Sequence, residues 1–224
     1  GIGGPARHFV RAESEDDLAG AMEYAREHSL PVFILGGGSN VLIADAGFDG
    51  MVVQIALAGS EFRVPSSESD LCQITAGAGE DWDEFVAFCV DHNLAGVECL
   101  SGIPGTVGGT PVQNVGAYGQ EVSETIVSVR CLDRASGEFV MLTNAECGFT
   151  YRKSIFNSSH RDRYIVVSVT YALTRGGGPK LAYQDLLEHF AGREPTLSET
   201  RDAVLAADIS PDQRPRSAGV KTSA

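Results

Sequence analysis

The chain has 224 residues and a net charge of −13, and 43% of its residues are hydrophobic and 21% charged. This composition indicates a folded globular protein, and its acidity argues against nucleic acid or an anionic membrane surface as a partner, because both would repel it. No apolar run reaches the ~18–20 residues of a membrane span and no signal peptide is evident, so we expect a cytoplasmic protein that does not enter the membrane.

The chain contains five cysteines, at positions 72, 89, 99, 131 and 147. Their number is odd, and none of their spacings matches a paired metal-binding motif. Each lies in an apolar or helical context, which is typical of a buried, reduced thiol. We therefore expect no metal site.

The first third of the chain predicts helices and strands in alternation. Ser14 begins a capping signal, and apolar residues at helical spacing predict a helix over about 14–28. Strands are predicted over 32–35, 41–43, 51–55 and 72–76, with a loop over 64–70. Asp81 caps a further predicted helix, and we expect Trp82 on its apolar face to lie in the core.

The rest of the chain predicts mainly strands. Strands over 125–132 and 138–142 flank turn residues at 133–137, which is typical of a hairpin. Thr143 and Glu146 form a second capping box, which predicts a short helix. A long β-branched strand over 164–173 is expected at the centre of a sheet, and a helix is predicted over about 198–207.

The first strong motif is a glycine loop directly after the strand 32–35, with the sequence Gly36-Gly37-Gly38-Ser39-Asn40. Three residues without a Cβ let several backbone N–H groups approach one anionic group, and a diphosphate is a natural ligand. The spacing differs from the dinucleotide fingerprint, in which glycines at the first, third and sixth positions open a helix. An ordinary tight turn is the alternative interpretation.

A second glycine-rich segment covers residues 100–119 and holds six glycines. Apolar residues are interleaved throughout, so the segment does not have the composition of a flexible linker. Two such loops about sixty residues apart indicate a long cofactor lying across the domain.

These two loops, followed by the sequence GFTYRKSIF at 148–156, resemble the UDP-N-acetylenolpyruvoylglucosamine reductases, flavin enzymes of bacterial peptidoglycan precursor synthesis. The resemblance begins at Gly1 and runs to about Leu205. It implies an α+β fold of the vanillyl-alcohol-oxidase or PCMH type, with two FAD-binding subdomains over 1–58 and 59–174. Residues 175–224 would be the start and a remnant of the family's substrate-binding domain, which is otherwise largely absent.

The resemblance also implies roles for individual residues. Tyr183 and Tyr151 would contact the substrate, and Arg152 would be catalytic, because a guanidinium aimed at the substrate carboxylate stabilises the charge that builds there. FAD would be bound without a covalent link, since the first loop contains no histidine. The residues expected to hold it are Gly36, Gly37, Gly38, Ser39, Asn40, Ser101, Ile103, Gly105, Thr106, Gly108, Gly109, Asn114, Gly116, Tyr118 and Gly119.

NADPH would supply the hydride, and the substrate would be the enolpyruvyl ether of a UDP-sugar. The family also uses a serine as proton donor and a glutamate near its end, but Val220 follows Gly219 here and no carboxylate occurs after Asp212. We therefore expect that intervening residues are missing from the sequence, and that this chain binds flavin better than it turns over substrate. The alternatives are an isolated flavin-binding module and an FAD oxidase or dehydrogenase of the wider fold.

Overall fold

The computed structural model describes residues 3–63 and 70–209. Most of the predicted loop over 64–70, and the segment around Gly219 and Val220, lie outside the described residues.

Within the described residues the chain forms strands and helices in a mixed order. The strands are β1 (Ala6–Ala12), β2 (Val32–Leu35), β3 (Phe48–Ile55), β4 (Ser60–Arg63), β5 (Leu71–Gly77), β6 (Leu94–Ala95), β7 (Gly116–Ala117), β8 (Gln120–Glu121), β9 (Ile126–Asp133), β10 (Phe139–Thr143) and β11 (Tyr164–Arg175). The α-helices are α1 (Glu15–Glu27), α2 (Trp82–Asp91), α3 (Gln184–Phe190) and α4 (Leu197–Ile209). The expected α+β class is confirmed.

The first subdomain is a parallel three-stranded sheet of order β1-β3-β2, with α1 as the connection between β1 and β2. Helix α1 begins as predicted, because the Ser14 hydroxyl accepts from the Asp17 N–H at 3.1 Å and the Asp17 carboxylate accepts from the Ser14 N–H at 3.0 Å. Leu18 and two alanines of α1 are buried against the sheet.

The strand predicted over 41–43 is wrong, since these residues form no strand and Leu42 is 96% exposed. Apolar β-branched residues favour a strand only where a neighbouring strand can pair with them. Here the chain is held at Ala44, whose carbonyl accepts from the Gly4 N–H at 3.0 Å. Residues 36–47 are therefore an irregular connection between β2 and β3.

The second subdomain is an antiparallel sheet of order β10-β9-β11-β5-β4, with the short β6 paired to the end of β11. The predicted hairpin and the central position of β11 are confirmed, because β11 pairs with β9 on one side and β5 on the other. Helix α2 covers one face, where the rings of Trp82, Phe85 and Tyr171 lie 5.0–6.0 Å apart. Trp82 is 1% exposed, as expected.

The capping box at Thr143 forms, but the helix predicted after it does not. The Thr143 N–H donates to the Glu146 carboxylate at 2.8 Å, and one helical bond follows, from the Cys147 N–H to the Thr143 carbonyl at 3.1 Å. Gly148 then takes a φ of +57°, a left-handed conformation that ends a helix. A single turn results.

The two sheets are joined by an ion pair as well as by the shared core. Arg130 of β9 donates two hydrogen bonds of 2.9 Å to the Glu15 carboxylate at the beginning of α1. This bidentate contact holds the pKa of Glu15 below its usual value. It therefore fixes the orientation of the first sheet relative to the second.

After β11 the chain adds α3 and α4 to the same body. The predicted last helix is confirmed as α4, and its Arg201 forms a bidentate pair with Asp83 of α2 at 2.6 and 2.8 Å. A small core of Cys99, Leu186, Phe190 and Val204 lies beneath these helices. None of the helices among residues 3–63 and 70–209 has both the length and the apolar content needed to cross a membrane.

Candidate functional site

The first glycine loop follows the C-terminal end of β2, at the edge of the parallel sheet where ligands of α/β proteins commonly bind. No helix begins there, in agreement with the departure from the dinucleotide fingerprint. Gly38 has a φ of +78°, which a glycine adopts without strain. Residues 37–40 are exposed, so their backbone N–H groups are available to a ligand.

The structure brings the two predicted glycine loops into direct contact. The Ser39 hydroxyl donates to the Pro104 carbonyl at 3.2 Å, and the Asn40 amide reaches the Gln113 amide oxygen at 3.4 Å. A Cβ on Gly37 would lie 3.2 Å from the Cα of Gly105. The loops pass each other so closely that a side chain on Gly37 would require the neighbouring backbone to shift by a few tenths of an ångström.

A cleft of about 270 Å³ extends from the contact between the loops, between the two sheets. Its lining is mainly apolar and includes one charged pair of residues, Arg134 and Asp162. Four predicted site residues line it, namely Gly36, Thr106, Gly108 and Gly109. Residues that were not predicted complete the wall, including Val32, Ile34, Ile55, Ala78, Val112, Phe156, Tyr164, Ile165 and Val166.

The neighbouring glycines 108 and 109 face different surroundings. A Cβ on Gly108 would lie 2.6 Å from the Cβ of Ala78, so this glycine allows the loop to pack on the second subdomain. A Cβ on Gly109 would have no atom within 4 Å, although Gly109 lines the cleft. The space beside Gly109 suits a flat or slender ligand group.

The second glycine loop is anchored by buried polar contacts. The Thr110 hydroxyl lies 2.9 Å from that of the fully buried Tyr171 on β11, and burial raises the pKa of this tyrosine. The Gly102 N–H donates to Asp83 at 2.6 Å, and the Arg201 guanidinium on the same carboxylate holds the pKa of Asp83 below its usual value. These contacts fix the loop before any ligand binds.

Two predicted cofactor residues turn their side chains into the protein. Ser101 is buried and its hydroxyl donates to the Glu98 carbonyl at 2.7 Å. Ile103 is half-buried and packs on the main core. At both positions the backbone is the part that a ligand could contact.

Tyr151 and Arg152 form the tip of a two-residue turn, because Thr150 and Lys153 exchange backbone hydrogen bonds of 2.9 and 3.0 Å. Arg152 has a φ of +55°, a strained conformation for a residue with a Cβ. The Tyr151 side chain is 80% exposed, and its ring centre lies 6.0 Å from the Arg152 guanidinium. The turn thus presents a cation and an aromatic ring to solvent.

The base of this turn is bonded to the second glycine loop. The Asn114 amide donates to the Thr150 carbonyl at 3.0 Å, and the Ser154 hydroxyl donates to the Val112 carbonyl at 2.7 Å. The Asn157 amide donates to the carbonyl of Arg152 itself at 3.2 Å. The structure therefore connects the predicted catalytic arginine to the predicted cofactor loop.

Tyr183 also meets the second glycine loop, at its far end. Its ring lies edge-on to Tyr118, with 5.5 Å between the ring centres, and its side chain is partly exposed. A Cβ on Gly119 would lie 2.9 Å from the Cβ of Ala182, so Gly119 lets the segment before Tyr183 pack on the loop. Similarly, a Cβ on Gly116 would lie 2.9 Å from the Cγ of Glu121, so the absence of a side chain leaves room for Glu121.

The cysteines offer no reactive group at the site. All five are buried and free. Burial raises the pKa of the Cys99 and Cys147 thiols to about 12, which keeps both protonated at neutral pH. Among residues 3–63 and 70–209, no cluster of three histidine, cysteine or acidic side chains could hold a metal ion.

Comparison with known proteins identifies the fold of this site. The model of the FAD binding domain family matches residues 6–143, which include both glycine loops. The chain belongs to the FAD-binding domain family. A VAO-type flavoprotein from Myceliophthora thermophila shares the fold with a TM-score of 0.54, at 16% identity over 73% of this chain and 31% of its own.

The resemblance to the reductases is confirmed. The chain is 44% identical to the UDP-N-acetylenolpyruvoylglucosamine reductase of Thermobifida fusca over 92% of its own length and 58% of the relative's. The crystal structure of the reductase from Thermus caldophilus superposes with a TM-score of 0.66, at 27% identity over 95% of this chain and 66% of that one. The chain thus spans little more than half the length of such curated relatives.

Glu98 shapes the site, but the sequence analysis did not predict a role for it. Glu98 is fully buried, and its carboxylate accepts from the Gly96 and Lys180 N–H groups at 2.7 and 2.9 Å and from the Gln120 amide at 3.2 Å. It joins the beginning of the second glycine loop to the segment that leads to Tyr183. The signal that could have identified Glu98 is its position just before the second glycine loop.

Proposed function

We propose that the chain is the flavin-binding part of an FAD-dependent reductase that uses NADPH to reduce UDP-N-acetylenolpyruvoylglucosamine to UDP-N-acetylmuramate, in peptidoglycan precursor synthesis. The observation that carries the proposal is the pair of bonds, Asn114 to Thr150 and Ser154 to Val112, that ties the Arg152 turn to the second glycine loop. These bonds hold a guanidinium at the loop where the resemblance locates the flavin ring.

The residues present fit a non-covalent FAD. The exposed backbone N–H groups of residues 37–40 suit a diphosphate, because amide dipoles can neutralise two phosphates without a lysine. The mainly apolar cleft that Gly36 lines suits the adenine, and the Asp162 carboxylate in the same lining suits a ribose hydroxyl. The open space beside Gly109 leaves room for the chain between diphosphate and ring.

When bound, FAD supplies the hydride that reaches the double bond of the enol ether. Arg152 binds and orients the substrate carboxylate, and its planar fork makes two parallel hydrogen bonds to the two oxygens. Negative charge grows on that carboxylate as the hydride arrives, so a fixed guanidinium lowers the barrier. The three bonds at the base of the turn hold the backbone of Arg152 in place beside the second glycine loop.

The nucleotide end of the substrate is assigned to the side of the loop where Tyr183 meets Tyr118. Tyr151, exposed beside Arg152, would pack on the enolpyruvyl end. Val220, at the position where the family has its proton donor, lies outside the described residues, and the sequence after Asp212 contains no carboxylate side chain for the role of the terminal glutamate. Turnover therefore depends on groups beyond the site described above.

Two half-reactions of the purified protein, followed anaerobically by flavin absorbance, test the proposal. NADPH should bleach the oxidised flavin band, and UDP-N-acetylenolpyruvoylglucosamine should restore it. A flavin that bleaches but stays reduced would contradict reductase activity and leave a flavin-binding module. A reduced flavin that responds only to oxygen would instead indicate an oxidase of the wider fold.

A further inference from the structure

Asn114 was expected to form part of the flavin wall, but its side chain is buried and 1% exposed. One amide N–H donates to the Glu121 carboxylate at 2.7 Å and the other to the Thr150 carbonyl at 3.0 Å. Its side-chain oxygen accepts from the Ser123 N–H at 3.1 Å. Both donors are therefore used inside the protein, and neither remains for a ligand.

The local backbone is built around this side chain. Asn114 has a φ of +45°, which asparagine tolerates better than most residues. Glu121 is held over the β7–β8 hairpin, because Gly116 leaves room for its Cγ. The carboxylate thus meets Asn114 at a fixed position, and the charge-assisted bond leaves the second N–H pointing at Thr150.

We infer that Asn114 is a positioning residue for Arg152, and that Glu121 orients Asn114 for this purpose. The inference rests on the proposed function, in which Arg152 acts on the substrate carboxylate. Thr150 begins the turn whose tip carries Arg152, so the bond from Asn114 sets the distance between that tip and the glycine loop. An error of ~1 Å in such a distance can cost about a hundredfold in rate.

The inference predicts an effect on one half-reaction only. Hydride transfer from NADPH to the flavin does not involve the substrate carboxylate, whereas transfer from the flavin to the substrate does. Loss of the Asn114 donors should therefore slow flavin reoxidation by the enolpyruvyl substrate and leave flavin reduction by NADPH unchanged. A purely structural role would slow both steps or neither.

Asn114→Asp is the test variant, because it keeps the shape and replaces both donors with a carboxylate oxygen. That oxygen would face the Glu121 carboxylate and the Thr150 carbonyl, and both contacts would be repulsive. Reoxidation should slow by about ten- to a hundredfold.

Asn144→Asp is the matched control. The Asn144 amide also donates two bonds, of 2.8 Å each, to the Ser123 and Ile126 carbonyls, and neither acceptor belongs to the Arg152 turn. Its aspartate variant should lose stability to a similar extent and keep the ratio of the two half-reaction rates.

The double variant Asn114→Asp with Glu121→Gln is a second comparison. The amide introduced at position 121 can donate to the carboxylate introduced at position 114, which removes the repulsion between two like charges. The bond to the Thr150 carbonyl stays lost in this protein. Slow reoxidation should therefore persist, and full recovery of the reoxidation rate would contradict a role for that bond.

A measurement independent of turnover is tryptic cleavage after Arg152 in the folded protein. Asn114→Asp should be cleaved faster than the wild type and than Asn144→Asp, because its turn is released. Equal cleavage in all three proteins, or a fall in both half-reaction rates by the same factor, would overturn the inference. A wild-type flavin that the substrate does not reoxidise would refute the proposed function instead, and cleavage would still decide whether Asn114 holds the turn.

Discussion

The adjacent glycines 108 and 109 offer a sharp test of how the second glycine loop works. A Cβ on Gly108 would be 2.6 Å from the Cβ and 3.0 Å from the carbonyl oxygen of Ala78, which belongs to the buried core. An extra methyl group in such a packed site lowers the free energy of unfolding by ~1–3 kcal/mol. Gly108→Ala should therefore lower the melting temperature by about 2–12 °C, since a domain of about this size loses ~2–4 °C per kcal/mol.

Gly109→Ala should behave in the opposite way. Nothing lies within 4 Å of the added methyl, and Gly109 does not have a left-handed φ, so the fold is not disturbed. Alanine also restricts the unfolded chain, which would stabilise the apoprotein by about 0.4–1 kcal/mol. The methyl group would occupy the space proposed for the cofactor, and FAD affinity should fall by about tenfold or more, a loss of ~1.4 kcal/mol.

The assay is a melting curve of each flavin-free variant, together with a titration of that variant with FAD that follows the flavin fluorescence. The expected result is that Gly108→Ala loses stability and Gly109→Ala loses affinity. A Gly109→Ala protein that binds FAD as tightly as the wild type would refute the location of the cofactor beside this loop. A Gly108→Ala protein with an unchanged melting temperature would refute the close packing on Ala78.

Three further outcomes follow from the contacts. Arg152→Lys keeps the charge but loses the planar fork, so flavin reoxidation by substrate should slow by about 10²-fold with little change in flavin reduction, and equal slowing of both steps would contradict this role. Arg201→Ala should destabilise the protein near neutral pH and much less in acid. The ion pair lowers the pKa of Asp83 from 3.8 in the folded state. The pair therefore stabilises the fold fully above pH 3.8, and this stabilisation is lost as the pH falls through the lowered pKa. Melting curves at pH 7 and pH 3 measure the difference, and an equal loss at both would count against the ion pair. Glu98→Ala leaves three donors without their acceptor and should reduce the free energy of unfolding in urea by about 2–4 kcal/mol, whereas a loss near zero would show that water replaces the carboxylate.

The elements that could be predicted from sequence were those determined by neighbouring residues. The Ser14 cap and the turn between β9 and β10 depend on contacts within a few positions, and both formed as expected. The strand predicted over 41–43 required a partner strand that the fold does not supply there. The capping box at Thr143 formed, but the left-handed conformation of Gly148 ended the helix after one turn.

The candidate site shows the same division. Glycine density located both loops, because the need for bare backbone is visible in the sequence itself. The inward turn of the Asn114 side chain was not visible, since it depends on Thr150, which is distant in sequence and is brought close only by folding. Residue type predicted a cofactor at these loops, while the direction of each side chain required the tertiary structure.

The most direct test of the central claim, that FAD binds along the two loops with its adenine in the cleft, is a calorimetric titration of the flavin-free protein with FAD, with FMN as the comparison. We expect one FAD per chain, released intact by acid precipitation, and FMN binding weaker by about a hundredfold or more because FMN has no adenine to fill the cleft between the sheets. Equal affinity for FMN and FAD, or no binding of either, would contradict the claim.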